Sequence, residues 1–301
     1  MRRRFATVLL TTLVLTTQGC AVMDKLSTKI ADKLTTRMES EVEKKLAEGL
    51  DGLTNGILNH DDPGTITAGI PSYLILLDSM IYSRPDDMAL LMAAARLYGA
   101  YAGTLVDEPE RAKRLTQRAR KYAAKALCQE LPSICRLQDK PFEQFKHAVD
   151  NADRSNIEPL YVYGVAWAGW LQARTDDWAA LAELPKIKYI FKRLTTMDAG
   201  YDKGRAQLYL AVMGSQIPAN LGGKPEQARL HFEKAIQYSG GKDLIIKVKY
   251  ARHYARLVFN QELHDKLLKE VLSADPQVPK LTLSNVMAQQ EARKIQSDDF
   301  F

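Results

Sequence analysis

From Gly64 onward the chain places its apolar residues at three- and four-residue spacings, and no segment shows the strict alternation of a half-buried strand. That periodicity restricts the chain to amphipathic helices. In "EPERAKRLTQRARKYAAKAL" (108–127), Ala112, Leu115, Ala119, Tyr122, Ala123 and Ala126 share one face, and Pro109 sits near the first turn, where its missing N–H does least harm. "MALLMAAARLYGAYAG" (88–103) is Ala-rich, and Gly99 and Gly103 admit a close neighbour. Further helices are predicted over 142–151, 158–174, 176–196, 202–217, 225–239, 243–259, 262–273 and 281–297. The expected fold class is all-α.

The helices read as paired and repeated. The second helix of a tetratricopeptide (TPR) unit carries A-x3-F-x2-A followed by Pro. "ARLHFEKA" supplies Ala228, Phe232 and Ala235 in that spacing; "HDKLLKEV" supplies His264, Leu268 and Val271, with Pro276 after it. Ile187, Phe191 and Leu194 form a third set, and Ala119, Ala123 and Ala126 a fourth. Successive sets are 68, 41 and 36 residues apart, near multiples of the roughly 34-residue TPR period. The expectation is a stack of antiparallel helical hairpins, degenerate TPR-like repeats, each burying its neighbour's apolar face.

The start of the chain reads differently. Arg2, Arg3 and Arg4 precede a short apolar run that ends "LTTQGC". This is a secretory signal pattern over residues 1–19, too short to span a bilayer. Cleavage after Gly19 leaves Cys20 first, as the acylation site of a bacterial lipoprotein, and several acyl chains anchor firmly. Ala21 follows in place of an inner-membrane retention Asp, which favours the outer membrane. Loss of the leader, which holds three Arg and no acid, lowers the formal net charge from +6 to +3. Nucleic-acid binding then loses its electrostatic support.

Residues 20–60 are read as the lipid anchor and a helical stalk, since Leu26, Ile30, Leu34, Met38, Val42, Leu46 and Leu50 recur at every fourth position. A helix lying on the membrane is the alternative. "HDDPGT" breaks the chain, and the helical domain is expected over 61–301. With Cys20 acylated, Cys128 and Cys135 remain, separated by six residues that include Pro132. In an oxidising compartment such a pair can bridge. No zinc-ligand spacing accompanies them.

No catalytic, cofactor or metal constellation is found. "LGGKPEQA" lacks the phosphate-loop frame and reads as a loop with Pro225 opening a helix. His231, His253 and His264 fall on separate helices beside Lys or Arg, and the pairs Asp86–Asp87, Asp176–Asp177 and Asp298–Asp299 suit helix starts or solvent. The chain is read as a non-enzyme.

Two features admit a binding reading beside a plain structural one. "PLYVYGVAWAGWL" (159–171) is apolar nearly all round and carries Tyr161, Trp167 and Trp170, while Tyr98, Tyr101, Tyr209, Tyr250 and Tyr254 recur on neighbouring helices. Such a helix is surrounded either by core or by a lined ligand cavity. Arg111, Arg114, Arg118, Lys121 and Lys125 form a basic stripe opposite the apolar face of their helix. The stripe is either a solvated face, the usual case, or a dock for an acidic partner or anionic headgroups.

The ordered run of "PSYLILLDSMIYSRPDDMALLMAAARLYGAYAG", "ERAKRLTQRARKYAAKALC", "WAGWLQARTDDWAALAELPKI", "LGGKPEQARLHFEKAI" and "YARLVFNQELHDKLLKEVLSADP" resembles the T component (TatT) of tripartite ATP-independent periplasmic (TRAP) transporter systems over residues 50–300. The resemblance implies a periplasm-facing lipoprotein of TPR-like helices, associated with a TRAP solute-binding receptor (the P component) that feeds an ion-coupled permease. It also implies a pore or cleft through the helical body, and it supplies no catalytic residues. The expected function is an accessory subunit that docks the receptor and holds a hydrophobic or organic-acid ligand. The expected partners are the receptor, the membrane through the anchor, and further copies of the chain. The alternative is a scaffold lipoprotein for envelope assembly, with no ligand.

Overall fold

The computed structural model describes residues 41, 44–45, 48–136, 139–298 and 300–301. The leader, Cys20 and most of the expected stalk lie outside the described residues. The chain divides into two compact units, residues 1–54 and 55–301. In the first, residues 48–54 are helical, with Thr54 Oγ1 donating to the Leu50 carbonyl.

The second unit holds twelve α-helices and no strand among the described residues. They are α1 (Pro63–Ser83), α2 (Met88–Thr104), α3 (Pro109–Glu130), α4 (Phe142–Asp150), α5 (Ile157–Gln172), α6 (Trp178–Leu181), α7 (Leu184–Met197), α8 (Tyr201–Gly214), α9 (Pro225–Tyr238), α10 (Leu244–Lys249), α11 (Gln261–Ser273) and α12 (Thr282–Gln296). The starts follow local chemistry. Asp62, Asp87 and Asp177 cap α1, α2 and α6 with side chains that accept from backbone N–H groups two or three residues on. Pro109 and Pro225 open α3 and α9.

Packing follows chain order, with α3 on α2, α5 on α3, α7 on α5, α8 on α7 and α9 on α8. The four three-residue sets all face inward: Ala119, Ala123 and Ala126; Ile187, Phe191 and Leu194; Ala228, Phe232 and Ala235; His264, Leu268 and Val271 are buried. The fold is all-α.

Two predicted helices are corrected. The helix expected over 176–196 is broken into α6 and α7. Pro185 inside it would clash with the carbonyl four residues back, at Leu181, where α6 ends. The helix expected over 243–259 changes pitch: α10 passes into a π-helical segment, Tyr250–Ala255. There Tyr250 stacks on Phe232 at 4.7 Å, and the Tyr254 hydroxyl reaches Glu226 Oε1 at 2.6 Å. The structure also joins Cys128 to Cys135, with Cα atoms 4.9 Å apart. The bridge ties the end of α3 to the turn that follows it.

Candidate functional site

The basic stripe of α3 is largely engaged within the chain. Arg118 Nη1 donates to Asp78 Oδ2 at 2.5 Å and to the Tyr98 hydroxyl at 3.1 Å. Arg111 donates to the Tyr101 hydroxyl at 3.2 Å and pairs with Glu108. Lys125 donates to the Pro85 carbonyl at 2.6 Å and pairs with Asp86 at 3.0 Å. Arg114 and Lys121 are exposed, seven residues apart on one face, with no ion pair among the described residues. The sequence did not single out Asp78, which accepts from the Tyr98 and Tyr122 hydroxyls as well as from Arg118. Its signal was there to read: it is the one charged residue in an otherwise uncharged helix.

The eight aromatic residues expected to line a cavity fall into separate groups. Tyr98 and Tyr101 are buried between α2 and α3, held by Asp78 and Arg111. Trp167 is fully buried against Phe145 and Tyr163 and belongs to core, not to a lining. Trp170 is half-buried and lies between two cations, with Arg120 4.2 Å and Arg174 4.8 Å from its ring centre, and its Nε1 donates to Gln117 Oε1 at 2.6 Å. Tyr250 and Tyr254 are buried near the C-terminal helices. Tyr161 and Tyr209 share a different environment.

That environment is a polar cluster between α5, α8 and the start of α10, with Tyr161 and Asp243 buried, Arg205 and Tyr209 half-buried and Asp202 exposed. The chain enters α8 through three consecutive left-handed residues, Asp202 (φ 47°), Lys203 (φ 57°) and Gly204 (φ 76°). The turn sets the Asp202 carboxylate 2.5 Å from the Tyr161 hydroxyl, which donates to it. Arg205 follows, and its Nε donates to Asp243 Oδ2 at 3.0 Å. Asp243 is fully buried, and its Oδ1 has no partner among the described residues. Arg205 keeps 31% of its side chain accessible, and its Nη groups make no hydrogen bond among the described residues. Tyr209, one turn on, stacks on Phe191 at 4.4 Å and stays half-buried.

The electrostatics follow from partial burial and the neighbouring charges. Burial opposes the Arg205 charge, and the Asp243 and Asp202 carboxylates more than offset it, so the guanidinium is held protonated. Burial, then the Asp202 charge, pushes the Tyr161 phenol well above its ordinary value. Burial pushes the Tyr209 phenol up to about 12 despite Arg205. Both remain neutral donors at physiological pH. The cluster therefore offers a fixed cation with free N–H groups, beside an aromatic pair. Arg205, Asp202 and Asp243 were not picked out from the sequence. The one local mark of Asp202 and Arg205 is the glycine-flanked run "GYDKGR" at a helix start.

These features define an all-α protein whose successive helices pack in chain order around a half-buried charged pair. The chain belongs to the TRAP transporter T-component family, whose model matches residues 59–301. Membership makes it an accessory component of a TRAP transporter system, associated with the cell envelope. No curated protein is matched by the chain.

Proposed function

We propose that this protein is a lipid-anchored, non-enzymatic subunit that docks the periplasmic TRAP solute-binding receptor and holds an organic acid at Arg205. The observation that carries the ligand half is the Arg205 guanidinium, half-buried yet accessible, with its Nη groups unused beside Tyr209. A carboxylate fits a bidentate guanidinium, and an apolar body fits the exposed part of the Tyr209 ring. Docking falls to Arg114 and Lys121, the members of the α3 stripe that internal acids leave free. Anchoring at Cys20, on the periplasmic side of the outer membrane, is supported by the leader pattern.

The test is calorimetric titration of the mature protein with a panel of aliphatic and aromatic carboxylates. Arg205→Met should weaken binding at least tenfold while the helical spectrum is unchanged. Equal affinity in parent and variant, or no carboxylate bound by either, would remove the ligand half and leave a scaffold. For the anchor, Cys20→Ser should shift the protein from the membrane to the soluble fraction or stall it as precursor.

A further inference from the structure

A second set of cations lies on the other side of α8. Lys188 and Lys192 stand one turn apart on α7, Lys224 immediately precedes α9, and His231 and Lys234 stand one turn apart on α9. None of the four lysines has an ion pair among the described residues. On the same helix α9, by contrast, Arg229 is bracketed by Glu226 and Glu233 at 2.7 and 2.6 Å. The fields at the two half-buried members are cationic throughout. Lys188 feels Lys192 and Lys224, while His231 feels Lys234, Lys188 and Lys192, and no acid contributes at either. Burial, then these neighbours, lowers both from their ordinary values. Like charges gathered without a counter-charge work against the fold, so their convergence calls for an anion.

His231 gives the site a direction. Its Nδ1 lies 2.6 Å from Oε1 of the buried Gln207. An amide oxygen only accepts, so Nδ1 carries the proton and Nε2 is the nitrogen left to take one up. The positive end of α9 begins at Lys224 and adds to the same potential. Gln207 is two residues from both Arg205 and Tyr209, so it projects from the opposite side of α8 to the Arg205 cluster. That cluster contains two carboxylates, and this one contains none.

We propose that Lys188, Lys192, Lys224, Lys234 and His231 form a site for a phosphate-type oxyanion, free or borne on a lipid headgroup, with His231 protonated on binding. Several positive charges against one ligand favour a dianion over a monocarboxylate. The site stands independently of the organic-acid reading at Arg205. Binding tightens as pH falls, because the bound anion raises the imidazole pKa and linkage makes the converse hold.

The experiment uses the mature chain with Cys20→Ala, so that no acyl chain contributes, and histidine-selective isotope labelling. The chain has five histidines, and His231→Gln assigns the resonance. Sulfate is the first probe, because it stays a dianion across the titration, with chloride matching the ionic strength. Sulfate should raise the His231 pKa by about one unit, equivalent to about tenfold tighter binding to the protonated form. Lys188→Gln with Lys192→Gln should abolish the shift, whereas Arg114→Gln with Lys121→Gln should leave it intact. If the first pair disturbs folding, the exposed Lys192 and Lys234 are neutralised instead. Inorganic phosphate and sedimentation with phosphatidylglycerol or phosphatidylcholine vesicles then separate the sources. Lysine-dependent sedimentation with the anionic vesicles alone assigns a headgroup, and a sulfate shift without sedimentation assigns a free anion. No sulfate shift, or the same shift after the lysines are neutralised, overturns the site. If receptor association then still depends on the lysines, the patch is a dock for an acidic protein surface.

Discussion

Asp78 on α1 and Arg118 on α3 meet at 2.5 Å across forty residues of sequence, and the Tyr98 and Tyr122 hydroxyls close on the same carboxylate. The Arg is half-exposed, so the ion pair itself contributes little in solvent. The carboxylate matters more, because it satisfies two partly buried phenols. Burial, then the Asp78 hydrogen bond, raises the pKa of Tyr122 far above the phenol range. Asp78→Ala should therefore cost about 2–3 kcal/mol by leaving both phenolic O–H donors without an acceptor, and Arg118→Gln about 1 kcal/mol or less. Urea unfolding of the two variants measures the ratio. Equal costs would mean that the pair, not the phenols, governs the contact.

The two tryptophans of α5 should behave differently, although they stand three residues apart. Trp167 is fully buried among Phe145 and Tyr163, and Trp167→Ala should cost ~3–5 kcal/mol. Trp170 is half-buried between Arg120 and Arg174, and Trp170→Ala should cost ~1–2 kcal/mol, mostly lost cation–π attraction. Melting temperatures of the two variants decide it. A larger loss for Trp170 would place the core elsewhere.

Much of this was legible in the sequence, and the boundary between legible and illegible is physical. Three- and four-residue spacing reports which helix face is buried, so Ala119, Phe191, Phe232 and Leu268 were correctly assigned inward. Spacing says nothing of what lies opposite, so the α3 cations read as a free stripe although Arg118 and Lys125 reach acids on and after α1. A helix apolar all round defeats periodicity altogether, which is why Trp167 and Trp170 could not be told apart. The Arg205 cluster depends on a left-handed turn and on Asp243, 38 residues further on. No local pattern joins them.

Acid should weaken the fold in part through His253. Burial, then Lys249 and Arg252, lowers its pKa to about 4, against an unfolded value of about 6.5. The unfolded chain therefore binds the proton more readily. The resulting stability is fully present above pH ~6.5 and is lost as pH falls toward ~4. It amounts to roughly 2 kcal/mol once solvent screening is allowed for. His253→Gln should flatten the pH dependence of the melting temperature in that window relative to the parent, whose carboxylates titrate identically in both. Parallel profiles would show that the imidazole is solvated.

The turn into α8 permits a prediction that links backbone strain to the Arg205 cluster. Lys203 adopts φ 57° with a side chain, a conformation that costs an L-residue about 1–2 kcal/mol and costs glycine little. Lys203→Gly should therefore raise stability by about 0.5–1 kcal/mol after the entropy of the unfolded glycine is subtracted. Gly204 is the opposite case. Its φ of 76° already disfavours a side chain, and an added Cβ would stand 2.7 Å from Cβ of Tyr238 on α9. Gly204→Ala must either move α9 or unwind the turn, at a cost of roughly 3 kcal/mol or more. Unwinding would separate Asp202 from Tyr161 and turn Arg205 away from Asp243. The two variants thus divide stability from site geometry: carboxylate affinity should survive Lys203→Gly and fall with Gly204→Ala at a temperature where both remain folded. Affinity lost in both would show that Lys203 itself meets the ligand. Affinity retained in both would show that the left-handed turn does not position Arg205, and that α8 holds it unaided.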